Sequence, residues 1–521
     1  MYDVRDKTVM ITGAAGGLGY KFVEILLRNG AKSIAMIDLS TSNGQNAAAT
    51  LENEFGKGRA VFVACDVTKA DDLKKTFKKV IDTFKGLDIL INSAGIFNDN
   101  YLEKMIDLNI KALIHTSMMA FNYMGKHKSG KGGVIVNIAS VAALDPGHFF
   151  PIYGASKYAV LGFSQSLANM YDKTGVRVII MCPGLTATTL IININSKICD
   201  SIRPIVTNEI ASVENMPKQT SDNVALGVLN LIQNGKNGAT WLSEEVSYLT
   251  EGEKFQEIRI MYDVKNKTVM ITGAASGLGY KYAEILLRNS ARSIAVIDLP
   301  TSNGQNAVAT LETEFGKGRA IFVACDVTKP DDLEKTFKKI VDTFEGLDIL
   351  INNAGMLNDK YLEETIDLNV KALIRGSMLA FDYMGKHKGG KGGVIVNIAS
   401  IFGLQPNYSF PIYSASKFAV LGFSQSLAGM YDKTGVRVVI LCPGVTITTL
   451  ISNIADKVCD SINAVSNNID LKYSRQTTDN VTLAMLELIQ KGENQAAWVS
   501  EDNQSPYAVD FPHYSKRSLP V

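Results

Sequence analysis

Short apolar runs alternate with amphipathic stretches along the first 240 or so residues. Lys7–Ile11 reads as a strand that leads into a glycine-rich turn, and Phe22–Arg28 as the helix beyond it. Ser33–Ile37 and Ala60–Ala64 are the next apolar runs. Over Asp71–Phe84 the apolar residues Leu73, Phe77, Val80, Ile81 and Phe84 recur at helical spacing, which predicts one buried face. Ile89–Ile91, Val134–Ile138 and Val176–Met181 supply further strands, apolar on both faces. Strand and helix in alternation, with two-faced apolar strands, predict a parallel sheet covered by helices on both sides. Right-handed crossovers then make it doubly wound.

The pattern is written twice. Met1-Tyr2-Asp3-Val4 returns as Met261-Tyr262-Asp263-Val264, and the match continues to Trp241 and Trp498 before it lapses. A period this long has the size of a domain, not of a solenoid repeat. The length of 521 residues also exceeds what one core supports. The expectation is therefore two tandem Rossmann-type α/β domains, at 1–250 and 261–521. The boundary region, residues 243–262, lacks the Pro, Gly or Ser richness of a flexible tether.

Charge excludes some partners. Lysine plus arginine is 53 against 52 for aspartate plus glutamate, so nothing electrostatic calls for nucleic acid or an anionic membrane. The basic run Lys126–Lys131 is broken by glycine and reads as a solvated loop. No apolar stretch reaches the roughly 18 residues of a membrane span. Met1 runs straight into charged residues and a strand, which leaves no room for a secretory signal. The cysteines form three equivalent pairs, Cys65 with Cys325, Cys182 with Cys442 and Cys199 with Cys459, in apolar surroundings and without CxxC spacing. Buried reduced thiols are expected, with no metal site, in a cytoplasmic protein.

Two chemical motifs stand out, each in duplicate. Thr12-Gly13-Ala14-Ala15-Gly16-Gly17-Leu18-Gly19 follows a strand and opens a helix, as does Thr272-Gly273-Ala274-Ala275-Ser276-Gly277-Leu278-Gly279. Such a turn lets backbone approach a pyrophosphate at a helix N-terminus. Asp38 and Asp298 end the second strands, where a carboxylate accepts hydrogen bonds from an adenosine ribose and repels a 2′-phosphate. With no cation at Gly16 or Leu39, NAD is expected rather than NADP; the competing role for Asp38 is a helix cap. Asp66 and Asp326, followed by Val67 and Val327, either meet the adenine or cap the next helix.

The second motif is Tyr153 with Lys157, four residues apart on a predicted helix and so on one face, with Ser140 upstream at a strand end. Tyr413, Lys417 and Ser400 repeat it. A nearby ammonium and the positive nicotinamide both favour phenolate, lowering the phenol from its free value of about 10 toward working pH. The phenolate then takes the proton of a substrate hydroxyl as hydride leaves the adjacent carbon. Serine holds the same oxygen in place.

On these residues the chain resembles the short-chain dehydrogenase/reductase family, in its NAD-dependent, alcohol-oxidising branch, over almost all of each copy. The resemblance includes Asn352-Asn353-Ala354-Gly355, which appears as Asn92-Ser93-Ala94-Gly95 in the first copy, and the Pro183-Gly184 and Pro443-Gly444 elements. It implies that Asn109 and Asn369 complete a tetrad by holding a proton-relay water, that the lysines contact the nicotinamide ribose, and that Thr188 and Thr448 lie near the carboxamide. Phe121–Lys126, Gly132–Asn137 and Leu161–Ser164 carry a closer likeness to insect short-chain alcohol dehydrogenases and 15-hydroxyprostaglandin dehydrogenases. The prostaglandin enzymes so resembled have a polar amide three residues before the tyrosine. Phe150 and Phe410 stand there in this chain, which disfavours simple transfer of that activity.

The copies differ where the family's substrate pocket is covered. Val141–Phe150 matches Ile401–Phe410 only at Leu144, Pro146 and Phe150, and the stretch from Ile202 to Met216 diverges similarly. The expectation is a shared cofactor and chemistry with different alcohols; neutral drift in exposed loops is the competing account. His148 reads as a loop or rim residue. As a whole the sequence predicts an NAD-dependent secondary-alcohol dehydrogenase acting on a small molecule, its halves joined as an intramolecular pseudo-dimer open to further self-association. A non-catalytic NAD-binding, structural or storage member of the family is the alternative. Met261 also has the character of a start residue, so two joined reading frames are a further alternative.

Overall fold

The computed structural model describes residues 2–214, 216–244, 262–465, 473–513 and 516. The first copy runs β1 (Thr8–Thr12), α1 (Gly17–Arg28), β2 (Ser33–Asp38), α2 (Gly44–Phe55), β3 (Ala60–Ala64), α3 (Ala70–Phe84) and β4 (Ile89–Asn92). It continues through α4 (Leu102–Ile106), a π-helical turn at Asp107–Ala112, α5 (Leu113–Met124), β5 (Gly133–Ile138), α6 (Pro151–Ala168), α7 (Tyr171–Thr174) and β6 (Val176–Pro183). It closes with α8 (Thr207–Glu214), α9 (Ser221–Asn234) and β7 (Thr240–Ser243).

The seven strands are all parallel in the order β3-β2-β1-β4-β5-β6-β7. The strands are buried on both faces because helices cover both, as the unbroken apolar runs require. Every predicted strand is present within two residues of its expected bounds. The order reverses between β1 and β4, so a crevice opens at the carboxyl edge there.

The second copy repeats the order and adds one strand, Tyr507–Val509, antiparallel beside Ala497–Ser500 at the sheet edge. Most of the expected inter-copy boundary, from 245 to 261, lies outside the described residues.

The copies touch through α6 and its counterpart Pro411–Ala428. Glycines permit the approach: a Cβ on Gly162 would lie 2.5 Å from Phe418 Cγ, and one on Gly422 would lie 2.6 Å from Tyr158 Cγ. Lys111 Nζ pairs with Asp367 at 2.6 Å and Lys371 Nζ with Asp107 at 2.7 Å. Arg375 bonds Glu103, and Tyr158 Oη donates to Gln425 Oε1 at 3.2 Å. No helix among the described residues is long and apolar enough to cross a membrane.

Candidate active site

The carboxyl edge of the sheet gathers both motifs. Gly13 and Gly17 take positive φ angles of 70° and 53°, which a glycine adopts without cost. Chain crossing is tight beneath the turn: a Cβ on Gly19 would sit 2.1 Å from the Gly13 carbonyl oxygen, and one on Gly13 2.8 Å from Ala94 Cα. Gly16 has nothing within 4 Å, and the second copy carries Ser276 there. The closed underside and open outer side leave room for a phosphate against the first turn of α1.

Asp38 is not a helix cap. Its carboxylate accepts from the Ala15 amide at 2.9 Å and the Leu39 amide at 2.8 Å, and Asp298 does the same with Ala275 and Leu299. The carboxylate is thereby fixed beside the glycine turn. A cavity of about 250 Å³ adjoins it in the second copy, lined by Ala275, Ser276, Tyr280 and the first turns of the helix Gly304–Phe315. Asp66 and Asp326 form turns, each accepting from the amide and hydroxyl of the threonine two residues on. Leu18 and Leu278, in the first turns of the helices after the glycine motifs, pack against the core, while Val67 and Val327, next to the two aspartates in sequence, are buried.

Asn92 is buried, its Nδ2 donating to Ser117 Oγ and Asn137 Oδ1 at 2.8 Å; Asn352 makes the equivalent bonds to Ser377 and Asn397. Through their Nδ2 atoms these side chains tie strand to strand and to α5 or its counterpart, while Asn92 Oδ1 is buried without a hydrogen-bond partner. Asn353 differs from Ser93: its Nδ2 donates to the carbonyls of Thr272 and Gly273 at 3.0 Å, bracing the glycine turn.

Pro183 ends β6, and the Gly184 amide donates to Ser243 O at 2.8 Å, with Pro443 and Gly444 alike beside Ser500. Thr188 and Thr448 follow on extended backbone. A Cβ on Gly277 would lie 4.0 Å from Thr448 Cγ2, so this threonine faces the turn across the crevice.

Tyr153 and Lys157 lie on α6, with Lys157 Nζ 5.6 Å from the Tyr153 ring centroid; Lys417 and Tyr413 repeat the distance. Each lysine donates to a β5-type carbonyl, Lys157 to Ile138 O at 3.0 Å and Lys417 to Ile398 O at 2.9 Å. Ser140 and Ser400 lie near enough to the phenols to lower them, while their hydroxyls accept from the Ala142 and Phe402 amides at 3.2 Å. The expected acidification of the phenol by its lysine is not what the protein by itself produces. Burial penalises both charged forms, pushing Tyr153 up to about 12 and Lys157 down to about 8, with only Ser140 working to lower the phenol. Tyr413 is likewise raised and Lys417 lowered to about 8.

Asn109 sits on the π-turn with its side chain fully engaged. Its Oδ1 accepts from the Ile96 amide, and its Nδ2 donates to Ile96 O and Ser156 Oγ, all within 3.1 Å; Asn369 makes the same set with Met356 and Ser416. A Cβ on Gly95 would lie 3.2 Å from Asn109 Oδ1 and 3.8 Å from Lys157 Nζ, so the three meet at one point. Sequence reasoning missed Asp99 and Asp359, whose buried carboxylates accept the backbone amides of both tyrosines. Their only signal was recurrence in both copies inside otherwise loop-like segments.

The site's surroundings differ between copies. Phe97 stands edge-on to Tyr153, ring centroids 4.6 Å apart, and 4.4 Å from Phe150. Leu357 takes that place in the second copy, where Phe402 approaches Tyr413 at 6.3 Å and Tyr473 backs it at 5.2 Å. All six cysteines are free and buried, and among the described residues no cluster of His, Cys, Asp or Glu could hold a metal ion.

Comparisons with known proteins agree with this geometry. The family model for short chain dehydrogenase matches residues 7–198 and again 267–458. The 15-hydroxyprostaglandin dehydrogenase [NAD(+)] of Rattus norvegicus is 41% identical over 193 residues, 37% of this chain and 72% of that protein. Alcohol dehydrogenase 2 of Ceratitis cosyra is 32% identical over 241 residues, 46% of this chain and 92% of that protein. Among solved structures, the N-domain of a bacterial malonyl-CoA reductase superposes with a TM-score of 0.65 at 14% identity, over 89% of this chain and 95% of that one, a likeness of fold.

Proposed function

We propose, since the chain belongs to the short chain dehydrogenase family, that each copy, over 1–250 and 261–521, is an NAD-dependent dehydrogenase that oxidises a secondary alcohol to a ketone. The observation that carries the reading is the Ser140, Tyr153 and Lys157 cluster beside a glycine turn on one sheet edge, with Ser400, Tyr413 and Lys417 repeating it.

NAD is favoured because the Asp38 and Asp298 carboxylates are locked by two amides each, in a place where a 2′-phosphate would meet negative charge. Bound there, NAD+ supplies a hydride acceptor. Gly13, Gly17, Leu18 and Gly19 would shape the pyrophosphate seat, with Val67, Asn92, Pro183, Gly184 and Thr188 along the crevice, and their second-copy counterparts likewise. With the nicotinamide's positive charge beside it to offset the effect of burial, the Tyr153 phenolate would take the hydroxyl proton of the alcohol as the general base. Ser140 hydrogen-bonds the same oxygen and orients it. Lys157, held near pH 8 by burial, changes protonation within the working range and passes the proton outward. With the Asn109 side chain committed to Ile96 and Ser156, its part in the relay would fall to the backbone of the π-turn on which it sits.

The Lys111–Asp367 and Lys371–Asp107 exchange and the interlocked glycines support an intramolecular pseudo-dimer. Changing Tyr153 and Tyr413 together to Phe should lower turnover by roughly 10²–10⁴ while NADH binding persists. Wild-type protein that binds NADH yet reduces no NAD+ with a panel of secondary alcohols would favour the non-catalytic alternative.

A further inference from the structure

The helix α6 begins without a cap of its own. Its N-cap residue, Phe150, offers no side-chain acceptor, and Pro151 follows with no amide hydrogen. The amides of Ile152 and Tyr153 are therefore first-turn donors that need an acceptor. Asp99, 53 residues away along the chain, supplies both: Oδ2 accepts from Ile152 at 2.8 Å and Oδ1 from Tyr153 at 3.0 Å. Its own amide donates to Lys197 O at 2.8 Å, in the segment after the Pro183-Gly184 element. Asp359 makes the same three bonds, to Ile412 at 2.7 Å, Tyr413 at 2.9 Å and Lys457 O at 2.8 Å. Each carboxylate is 2% exposed.

We propose that Asp99 and Asp359 are the positioning residues of the two sites, each fixing its tyrosine and the segment beyond the Pro-Gly element in one register. The tyrosine's role in this proposal rests on the dehydrogenase reading above. A two-pronged carboxylate grips consecutive amides and so fixes the rotation of the helix's first turn, which sets the placement of the phenol. A serine or threonine cap could hold only one amide this way. The negative charge also lies at the positive end of the helix, a favourable place for it.

The groups around Asp99 sharpen the argument. Burial raises both Tyr153 and Cys199, and the Asp99 charge adds to each rise. Lys197 turns its Nζ to Leu190 O and lies 5.9 Å over the Phe97 ring, while Arg203 binds Ile198 O and pairs with Asp200 at 3.0 Å. Burial raises Asp99 and Asp359 to about 7, with the two amide bonds opposing that rise. The phenol and the carboxylate are thus coupled by geometry and by charge.

The test uses the full chain carrying Tyr413→Phe, so that only the first site turns over, with and without Asp99→Asn. Turnover should fall roughly 10–100-fold, the cost of misplacing a reacting group by a fraction of an ångström to an ångström, with NADH affinity unchanged. The pH midpoint of turnover should move down, because the charge that raises the phenol is gone. Hydrogen exchange of the Ile152 and Tyr153 amides should quicken in the resting protein. Asp99→Ser, which keeps one acceptor without the charge, gives the same reading if the Asn variant fails to accumulate. Lost turnover with an unmoved pH midpoint would reduce Asp99 to a simple cap and overturn the proposal, as would unchanged exchange. Absence of turnover in the Tyr413→Phe parent would instead overturn the dehydrogenase reading, and amide exchange would still decide whether Asp99 pins the helix.

Discussion

Asn353 Nδ2 donates to the Gly273 carbonyl oxygen at 3.0 Å and, at the same distance, to that of Thr272. Ser93 stands in its place in the first copy, where no equivalent bond to Thr12 O or Gly13 O is formed. The two glycine turns are therefore alike in backbone and unequal in support. Each net bond contributes about 1 kcal/mol. Asn353→Ser should weaken NADH binding at the second site by roughly 5–30-fold, the equivalent of one to two such bonds. Ser93→Asn should strengthen it at the first. Fluorescence titration of each single-site protein with NADH measures both.

The glycines should separate sharply on substitution. Gly19→Ala and Gly279→Ala drive a Cβ against backbone at 2.1 and 2.3 Å, so the turn must open and cofactor binding should fail. Gly16→Ser meets nothing within 4 Å and reproduces what Ser276 already does, so its NADH affinity and melting temperature should stay close to wild type.

Stability should carry two opposite pH terms. Asp99 and Asp359, raised from 3.8 to about 7, hold protons in the folded protein that the unfolded chain releases. Their contribution is present at low pH and is lost as pH rises through that window. Lys157 and Lys417, lowered from 10.5 to about 8, bind fewer protons when folded than when unfolded. Stability should therefore climb between pH 8 and 10.5 on their account. Urea midpoints across pH read both slopes: Asp99→Asn with Asp359→Asn should flatten the acid one, and Lys157→Met with Lys417→Met the alkaline one.

Lys371 lies between Asp107, Asp367 and Glu103 at 2.7, 3.0 and 3.1 Å with its side chain 8% exposed. Lys371→Met leaves Asp107, Asp367 and Glu103 at the contact between copies with Lys111 as the cation that still pairs with the two aspartates. Because those acids are 35–51% exposed, unfolding free energy should drop by roughly 1 kcal/mol. Adding Asp107→Leu should recover part of that loss, which a double-mutant cycle in denaturant would reveal.

The aromatic walls predict unlike substrate preferences. Phe97 presses on Tyr153 from one side, whereas Phe402 with Tyr473 approaches Tyr413 from another. Tyr413→Phe and Tyr153→Phe proteins should rank a graded series of secondary alcohols differently. Phe97→Leu should move the first site toward bulkier alcohols by 10-fold or more in kcat/KM, the scale of a change in apolar pocket volume. Identical rankings for the two survivors would return the sequence differences to drift.

Much of the site was legible because its signals are local. The glycine turn, Asp38 at a strand end and the four-residue spacing of Tyr153 and Lys157 depend only on backbone geometry within a few residues. The periodicity of Asp71–Phe84 and the two-faced strands fixed the layering for the same reason. The cost of burying Tyr153 and Lys157 together was less legible, since it comes from neighbours far along the chain. Asn109 illustrates the same limit: Ile96 and Ser156 consume its side chain, and neither is marked in the sequence as its partner.

By itself, then, the chain determined two doubly wound sheets, their shared glycine turn and the repeated Ser, Tyr and Lys set, because short-range periodicity and backbone sterics write those features directly. Tertiary structure alone decided that Asp99 holds the tyrosine amide, that Lys111 and Lys371 trade partners between copies, and that Tyr507–Val509 extends one sheet. Such contacts join residues tens to hundreds of positions apart, and packing, not local pattern, chooses which of them meet.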